Sequence, residues 1–297
     1  MTDTTYTPRF PVPKGACDCH YHIFGPATRF PPNPEIQHLM PDALAADNAK
    51  MRSRVGIERM VLVQVGGYYL DNQPMLEVLE AEGEKARGIA AYDPNIEADE
   101  VESLNAAGVC GMRVSPGRDL SEERMAEVWG IVTRLARLFE PVGWHIQFWL
   151  SGHMRDAMLP RLKDVTVPVV IDHLGLFRPE RTPGHEGYDA FLRAMESANT
   201  WTKMSGADRV TRDGNYENAI PIMEDLIGIA PDRLVWGTDW PHTPERPPLA
   251  EGEEPKTVAY ADVNENKCIS VLADACPDEA TFKAILVDNP ARLYGFE

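Results

Sequence analysis

The sequence predicts an α/β fold, a (β/α)8 TIM barrel that forms a single domain. Short apolar segments of strand type alternate along the chain with segments of helical period, which is typical of βα units around a parallel sheet. Eight strand candidates can be counted, and 297 residues suit one barrel, since barrels of about 250 residues or more form one domain. We assign residues 1–297 to that domain, with residues 1–14 as a polar N-terminal extension.

The predicted strands are short apolar runs bounded by turn residues: residues 16–22, 59–65, 86–92, 109–114, 144–150, 167–173, 201–204 and 233–238. Helical segments are predicted between them at 41–55, 72–84, 97–107, 121–140, around 159–162 and at 216–229. Ser121, with Glu123 and Arg124 behind it, is expected to begin the fourth helix. Residues 241–257 are too rich in proline for a tight turn, so we expect either a functional loop or a mobile one.

Composition limits the classes of partner. With 43% hydrophobic and 25% charged residues, the chain has the make-up of a soluble globular protein with a large core. Its formal net charge of −17 argues against nucleic acid or an anionic membrane as partner, because both require a basic surface. A small anionic substrate would have to be bound by local cations.

The sequence also favours a cytoplasmic protein. The first 14 residues lack an apolar signal segment, and no run of about 18 apolar residues follows them. The five cysteines are odd in number and irregularly spaced, so we expect reduced thiols rather than disulfides. We expect a monomer or a small homo-oligomer.

The strongest local motif lies at the end of the first predicted strand. His20 and His22 are two residues apart, and the period of a strand points both to one face, which in a barrel is the interior. Two imidazoles there suit metal binding or charge stabilisation, although an isolated His-x-His motif fits two hydrogen-bonded interior residues equally well. Cys17, Cys19 and Tyr21 alternate with these histidines and are expected to face the outer helices.

Two further groups follow later strands. Asp172 and His173 end the sixth predicted strand, and Asp239 follows the eighth, with His242 three residues on. Each of these residues alone could cap a helix or support a site through hydrogen bonds. Their shared position at strand carboxyl ends favours a functional site, because that is where barrel enzymes carry their active sites.

These motifs resemble the amidohydrolase (metal-dependent hydrolase) superfamily, and within it the branch of 2-pyrone-4,6-dicarboxylate lactonase and sulfomuconolactone hydrolase. The resemblance covers nearly the whole chain. It rests on DCHYHIFGP (18–26), FPP (30–32), GMRV (111–114), GWH (143–145), VIDHLG (170–175), VWGTDWPH (235–242) and NPARLYGF (289–296). It implies a lactonase of aromatic catabolism that opens the ester bond of a small anionic lactone.

The resemblance implies a role for each catalytic candidate. Asp239 would be the general base that activates water, while His20, His22 and His173 would polarise the lactone carbonyl. Elementary chemistry agrees, because a carboxylate held beside donors is a competent base and imidazoles can donate toward developing negative charge.

The resemblance also implies a cationic substrate site. Arg113 and Arg209 would bind acid groups of the substrate, with Arg118 as a third candidate, because guanidinium groups bind carboxylates or sulfonates with two hydrogen bonds. An ordinary surface salt bridge is the alternative for each arginine. Trp149 and His242 are assigned to the same site, Trp149 as an apolar wall beside a flat ring.

Metal dependence is a separate question. Zinc-binding members of the superfamily usually supply a histidine from the fifth strand, where this sequence has Trp149; we expect His145, four residues earlier, to be structural. An arginine, Arg113, stands in the fourth strand where many members have a metal-bridging residue. We therefore expect no metal cofactor, although His20, His22, His173 and Asp239 could hold one zinc.

Other functions stay open on the sequence alone. The same barrel could be a zinc-dependent decarboxylase or hydrolase, or a lactone isomerase. It could also be a non-catalytic barrel that binds a small acid or a partner protein.

Overall fold

The computed structural model describes residues 6–36, 38–150, 152–179, 182, 184–211, 214–245, 249 and 252–297. Its main sheet has eight parallel strands: β1 Cys17–Tyr21, β2 Arg59–Val63, β3 Ala86–Ala90, β4 Val109–Val114, β5 His145–Phe148, β6 Val169–Ile171, β7 Thr200–Lys203 and β8 Leu234–Val235. Neighbours in the chain are neighbours in the sheet. The backbone N–H groups of Cys19 and Asp239 donate to Trp236 and His20 across the seam, each at 2.8 Å, so the barrel is nearly closed. The predicted TIM barrel is confirmed.

Helices alternate with these strands around the outside. They are α1 Ala45–Val55, α2 Gln73–Glu82, α3 Ala98–Ala106, α4 Glu122–Phe139, α5 Gly152–Met158, α6 Glu186–Met195, α7 Ala207–Thr211, α8 Ile220–Ile229, α9 Glu265–Ala275, α10 Glu279–Lys283 and α11 Asn289–Tyr294. Ser121 begins α4 as predicted, and its hydroxyl accepts a hydrogen bond from the Arg124 backbone. No helix in the described ranges is both long enough and apolar enough to cross a bilayer.

The first strand departs from a regular pleat. Asp18 pairs with Met60 but Tyr21 pairs with Leu62, so β1 carries an extra residue between these pairs. Tyr21 packs in the main core as expected. The expectation that Cys17 and Cys19 face the outer helices is wrong, because both lie in a second buried cluster with interior strand residues and the C-terminal segment. The extra residue allows Cys19 and His20 to face inward together.

The amino-terminal end of the barrel is covered by α11 and the residues after it. The Asn289 amide donates to Leu234 O at 2.8 Å, and Arg87 donates to Gly295 O at 2.7 Å. The Tyr294 ring packs edge-on against His145, with the ring centroids 5.4 Å apart. This floor leaves the carboxyl end as the open end of the barrel.

A small parallel sheet lies at that open end, where His38–Leu39 pairs with Lys256–Thr257. It joins the segment after the FPP motif to the end of the proline-rich segment. Of that predicted loop, residues 246–248, 250 and 251 lie outside the described residues, as do residues 1–5 of the predicted N-terminal extension.

Candidate active site

A cavity of about 950 Å³ opens at the carboxyl ends of the strands. Its inner wall brings together residues that are far apart in the sequence and that the sequence analysis singled out: His22, Arg113, Arg118, Trp149, His173, Arg209 and Asp239. His20 is fully buried directly beneath, with its Nε2 3.2 Å from Nε2 of His22. The predicted catalytic groups therefore share one site.

Hydrogen bonds fix the proton positions of His22. Its Nδ1 lies 2.7 Å from the carbonyl oxygen of Val63, which can only accept, so Nδ1 carries the proton. In the neutral ring Nε2 is then an acceptor that faces the cavity. This tautomer suits the binding of a proton donor better than the polarisation of a carbonyl.

Asp239 lies at the centre of the imidazoles. Its Oδ1 is 3.6, 3.5 and 3.8 Å from Nε2 of His20, His22 and His173 respectively. Its Oδ2 pairs with the guanidinium of Arg209. Burial alone would raise the pKa of Asp239, but Arg209 and the surrounding imidazoles hold it well below its usual value. Asp239 is therefore a carboxylate at neutral pH.

His173 leaves β6 in a left-handed conformation, with φ of 52°. Its Nδ1 lies 2.9 Å from the hydroxyl of Ser205, and burial lowers its pKa to about 4. Gly206 leaves room for the ring, because a Cβ at that position would lie 2.9 Å from Cβ of His173. When the Ser205 hydroxyl donates to Nδ1, the neutral His173 ring presents its Nε2 proton to the site.

The arginines pair with buried carboxylates. Arg113 Nε donates to Oδ2 of Asp172 at 3.0 Å, and the side chains of Arg113 and Arg209 are only 18% and 16% exposed. These pairs are not ordinary surface salt bridges, since Asp172 and Asp239 are fully buried. Arg118 lines the same cavity.

A buried polar network under the imidazoles was missed by the sequence analysis. The Lys203 ammonium reaches His20 Nδ1, Cys19 O and Gln147 Oε1 at 3.1, 2.8 and 2.7 Å. The Gln147 amide donates to Asp172 Oδ2 at 3.1 Å, which fits the hydrogen-bonding role that the sequence left open for Asp172. A signal was available in the sequence, because Lys203 and Gln147 lie within two of the predicted barrel strands, where a lysine and a glutamine need buried partners.

Lys203 and Asp172 have shifted pKa values of the kind that such a network produces. Burial lowers the pKa of Lys203, and Asp172 opposes that shift. Burial would raise the pKa of Asp172, but His20, Arg113 and Lys203 hold it well below its usual value. The network therefore places charge on both sides of His20.

The remaining residues discussed in the sequence analysis are His242, His145 and Trp149. His242 does not line the described cavity wall; its Nε2 lies 3.3 Å from Glu265, behind Asp239. His145 lies on the barrel floor against Tyr294, as expected for a structural residue. Trp149 lines the cavity and is 39% exposed.

The ligand atoms are close enough to hold a metal ion. His20, His22 and Asp239 offer atoms within 4.8 Å of one another, as do His20, Asp172 and His173. The charge around them opposes a divalent cation, since Lys203, Arg113 and Arg209 all lie against these carboxylates. The site thus has donor atoms suited to a metal ion, but the positive charges around them disfavour its binding.

Comparisons with known proteins identify relatives over nearly the full length. The 4-sulfomuconolactone hydrolase of Hydrogenophaga intermedia is 28% identical over 292 residues, covering 97% of this chain and 91% of the relative. The 2-pyrone-4,6-dicarboxylate hydrolase of Comamonas testosteroni is 32% identical over 304 residues, covering 97% and 92%. The D-galactarolactone isomerase of Agrobacterium fabrum (strain C58) is 28% identical over 300 residues, covering 99% and 95%.

Comparison of the fold with solved structures agrees with the sequence comparison. The crystal structure of a probable 2-pyrone-4,6-dicarboxylic acid hydrolase from Acinetobacter baumannii with citric acid bound has a TM-score of 0.77 and 23% identity, covering 95% of this chain and 100% of that one. A family model described as Amidohydrolase matches residues 17–296. By its sequence, its fold and the imidazoles and carboxylate at its open end, the chain belongs to the amidohydrolase family.

Proposed function

We propose that the protein hydrolyses the ester bond of a small anionic lactone, of the 2-pyrone-dicarboxylate or sulfomuconolactone type. The observation that carries the proposal is the position of Asp239, a buried carboxylate paired with Arg209, beside imidazoles in a cavity whose lining includes Arg113, Arg118 and Arg209. The names of the relatives support the substrate class.

The attacking water is bound by Asp239 and His22. Asp239 Oδ1 and His22 Nε2 are both acceptors and lie 3.5 Å apart, so one water can donate a proton to each. Asp239 then removes a proton as the oxygen attacks the lactone carbonyl carbon. Its second oxygen stays paired with Arg209, which holds the carboxylate in place.

The carbonyl oxygen is polarised by His20 and His173. Each ring can present an Nε2 proton to the site, and their ring centroids lie 4.5 Å apart. Donors fixed before the reaction stabilise the oxyanion without reorganisation, which is worth roughly 3–4 kcal/mol for one such donor in known enzymes. The tetrahedral intermediate then collapses: the ring C–O bond breaks, the leaving oxygen takes up the proton held by Asp239, and an open-chain acid is released.

The arginines orient the substrate. Arg113 and Arg209 each use part of the guanidinium group on a buried carboxylate, which fixes the group, and Arg118 lies on the same cavity wall. Acid groups on the lactone ring would bind the remaining N–H donors. Trp149 offers an apolar face beside the ring.

We further propose that this hydrolysis needs no metal. If an ion were bound, His20, His22, His173 and Asp239 would hold it, and it would supply Lewis-acid polarisation of the carbonyl. The fixed cations Lys203, Arg113 and Arg209 disfavour such an ion. Protein treated with a chelator and shown by elemental analysis to lack zinc should keep its kcat. Loss of activity that zinc alone restores would contradict the metal-free mechanism.

The Asp239→Asn variant tests the base assignment. Asparagine keeps the shape but cannot remove a proton, so kcat should fall roughly 10²–10⁴-fold while KM changes little. Steady-state hydrolysis of 2-pyrone-4,6-dicarboxylate, followed by ring absorbance, measures both constants. Asp42→Asn is the matched control, because Asp42 lines the same cavity and accepts a hydrogen bond from the Ala27 backbone. An unchanged kcat in Asp239→Asn would remove the assignment.

Lactone isomerisation is the second candidate, because one relative is named D-galactarolactone isomerase. The two reactions differ in proton balance. Hydrolysis at neutral pH releases one proton per turnover as the new carboxylic acid ionises, whereas isomerisation releases none. A pH-indicator assay with pyrone, muconolactone and sugar-acid lactones distinguishes them.

A further inference from the structure

Lys203 is a fully buried lysine at the carboxyl end of β7. Its ammonium lies 2.7 Å from Gln147 Oε1, 2.8 Å from Cys19 O and 3.1 Å from His20 Nδ1. A lysine ammonium has three protons and no acceptor, and three acceptors surround this one. A fourth acceptor, Asp172 Oδ1, lies farther away at 3.7 Å, so the three shorter contacts take the three protons and His20 Nδ1 provides a lone pair.

The opposite tautomer of His20 also has a partner. Asp172 Oδ1 lies 3.3 Å from His20 Nδ1 and would accept a proton from it. Arg113 and Gln147 both donate to the other oxygen of Asp172, so this carboxylate is already held without His20. The two tautomers thus compete at one nitrogen, and the contact with Lys203 favours a proton on Nε2.

The hydrogen bonds around His22 also favour a proton on Nε2 of His20. With its proton on Nε2, His20 donates to His22 Nε2 at 3.2 Å. His22 in turn donates from Nδ1 to Val63 O at 2.7 Å. Both rings are neutral in this arrangement and every donor has an acceptor, whereas a proton on His20 Nδ1 would leave two lone pairs facing each other at 3.2 Å.

We propose that Lys203 is a positioning residue that fixes His20 in the tautomer with the proton on Nε2. This inference rests on the proposed function for its catalytic meaning, because it makes His20 a hydrogen-bond donor for the lactone carbonyl. A substrate oxygen that enters between the rings accepts the proton that His22 accepts in the resting site. The same tautomer removes the Nε2 lone pair that a metal ion bound together with His22 and Asp239 would need.

The tautomer can be read without substrate by ¹⁵N NMR of protein labelled at its eight histidines. The protonated and unprotonated ring nitrogens differ in shift and in their couplings to ring protons, and His20→Gln identifies the His20 signals by their loss. The wild type should show a proton on Nε2 of His20. A proton on Nδ1 would overturn the proposal, whether or not any variant folds.

The Lys203→Met variant tests whether Lys203 fixes the tautomer of His20. Methionine keeps the length but cannot donate, so His20 should shift to the tautomer that donates to Asp172. The kcat for lactone hydrolysis should fall about 10-fold or more while KM changes little, since one fixed donor is lost in the transition state. Gln147→Met is the matched control, because it alters the same network but leaves the contact between Lys203 and His20. It should retain the Nε2 proton.

The outcomes separate this inference from the proposed function. If Lys203→Met keeps the Nε2 proton, or if Gln147→Met loses it as fully, Lys203 does not set the tautomer. If the NMR result is as expected but no lactone is hydrolysed, the role of Lys203 stands and the proposed reaction fails.

Discussion

At the scale of single residues, burial decides which groups are charged in the site. Burial keeps His173 neutral at the pH where a solvated histidine would titrate, while Arg209 keeps Asp239 ionised despite burial. A neutral donor and a charged base can therefore act side by side over a wide pH range.

This charge state predicts an unusual pH profile for kcat/KM. The pKa of His173 is depressed to about 4, so the ring takes up a proton only below that pH, and its positive charge then weakens Asp239 as a base. We expect kcat/KM to be constant from about pH 5 to neutral pH and to fall near pH 4, in buffers of constant ionic strength. An acid limb near pH 6.5 would show that an unperturbed histidine is the base.

At the scale of secondary-structure elements, the seam between β1 and β8 determines the distance between the imidazoles and Asp239. Gly237 is essential to that seam, because a Cβ there would lie 2.6 Å from the backbone N and 2.8 Å from the Cβ of His20. Asp18 strengthens the contact by accepting from the Thr238 backbone and hydroxyl at 2.9 and 2.6 Å. The catalytic groups are thus placed by backbone packing.

Gly237→Ala should therefore destabilise the protein and misplace His20. Overpacking of this kind typically costs about 1–3 kcal/mol, measurable as a lower free energy of unfolding in urea. Gly130→Ala is the matched control, since Gly130 lies in α4 with no atom within 4 Å of an added Cβ, and it should stabilise by roughly 0.5–1 kcal/mol. A Gly237→Ala variant as stable and as active as the wild type would show that the seam can relax.

The elements themselves were largely predictable from the sequence, because hydrophobic period reports which faces are buried. Seven of the eight strands lie inside the predicted ranges, and the seventh begins one residue earlier than predicted, at Thr200. The sixth ends at Ile171 because Asp172 and His173 turn out of the sheet. The hydrophobic period of the sequence could not show the extra residue in β1, because inferring buried faces from that period requires a regular pleat. Nor could it pair Lys203 with His20, because that contact joins strands 183 residues apart.

At the scale of the whole molecule, the formal net charge of −17 opposes an anionic substrate that the arginines attract. Long-range repulsion is screened at moderate salt, since the Debye length falls from about 30 Å at 0.01 M to about 10 Å at 0.1 M ionic strength. Contacts inside the cavity are screened much less. The balance of the two effects therefore depends on ionic strength.

We expect kcat/KM for a doubly charged lactone to rise between 10 and 100 mM salt, roughly the range over which the Debye length falls threefold. An uncharged lactone serves as the control and should show no such rise. Initial rates at low substrate concentration in sodium chloride measure the effect. A fall for the charged lactone alone would mean that attraction by the arginines dominates even at long range.

The cavity of about 950 Å³ lies near the upper end of the range, about 300–1,000 Å³, for sites that enclose drug-sized molecules. Its lining also includes the apolar side chains of Phe24, Phe30, Pro32 and Leu39. An inhibitor could therefore join an acidic ring for the arginines to a hydrophobic tail that packs against these apolar side chains. In such a compound the acidic ring would supply affinity through the arginines, and the tail would supply selectivity through its contacts with the apolar side chains.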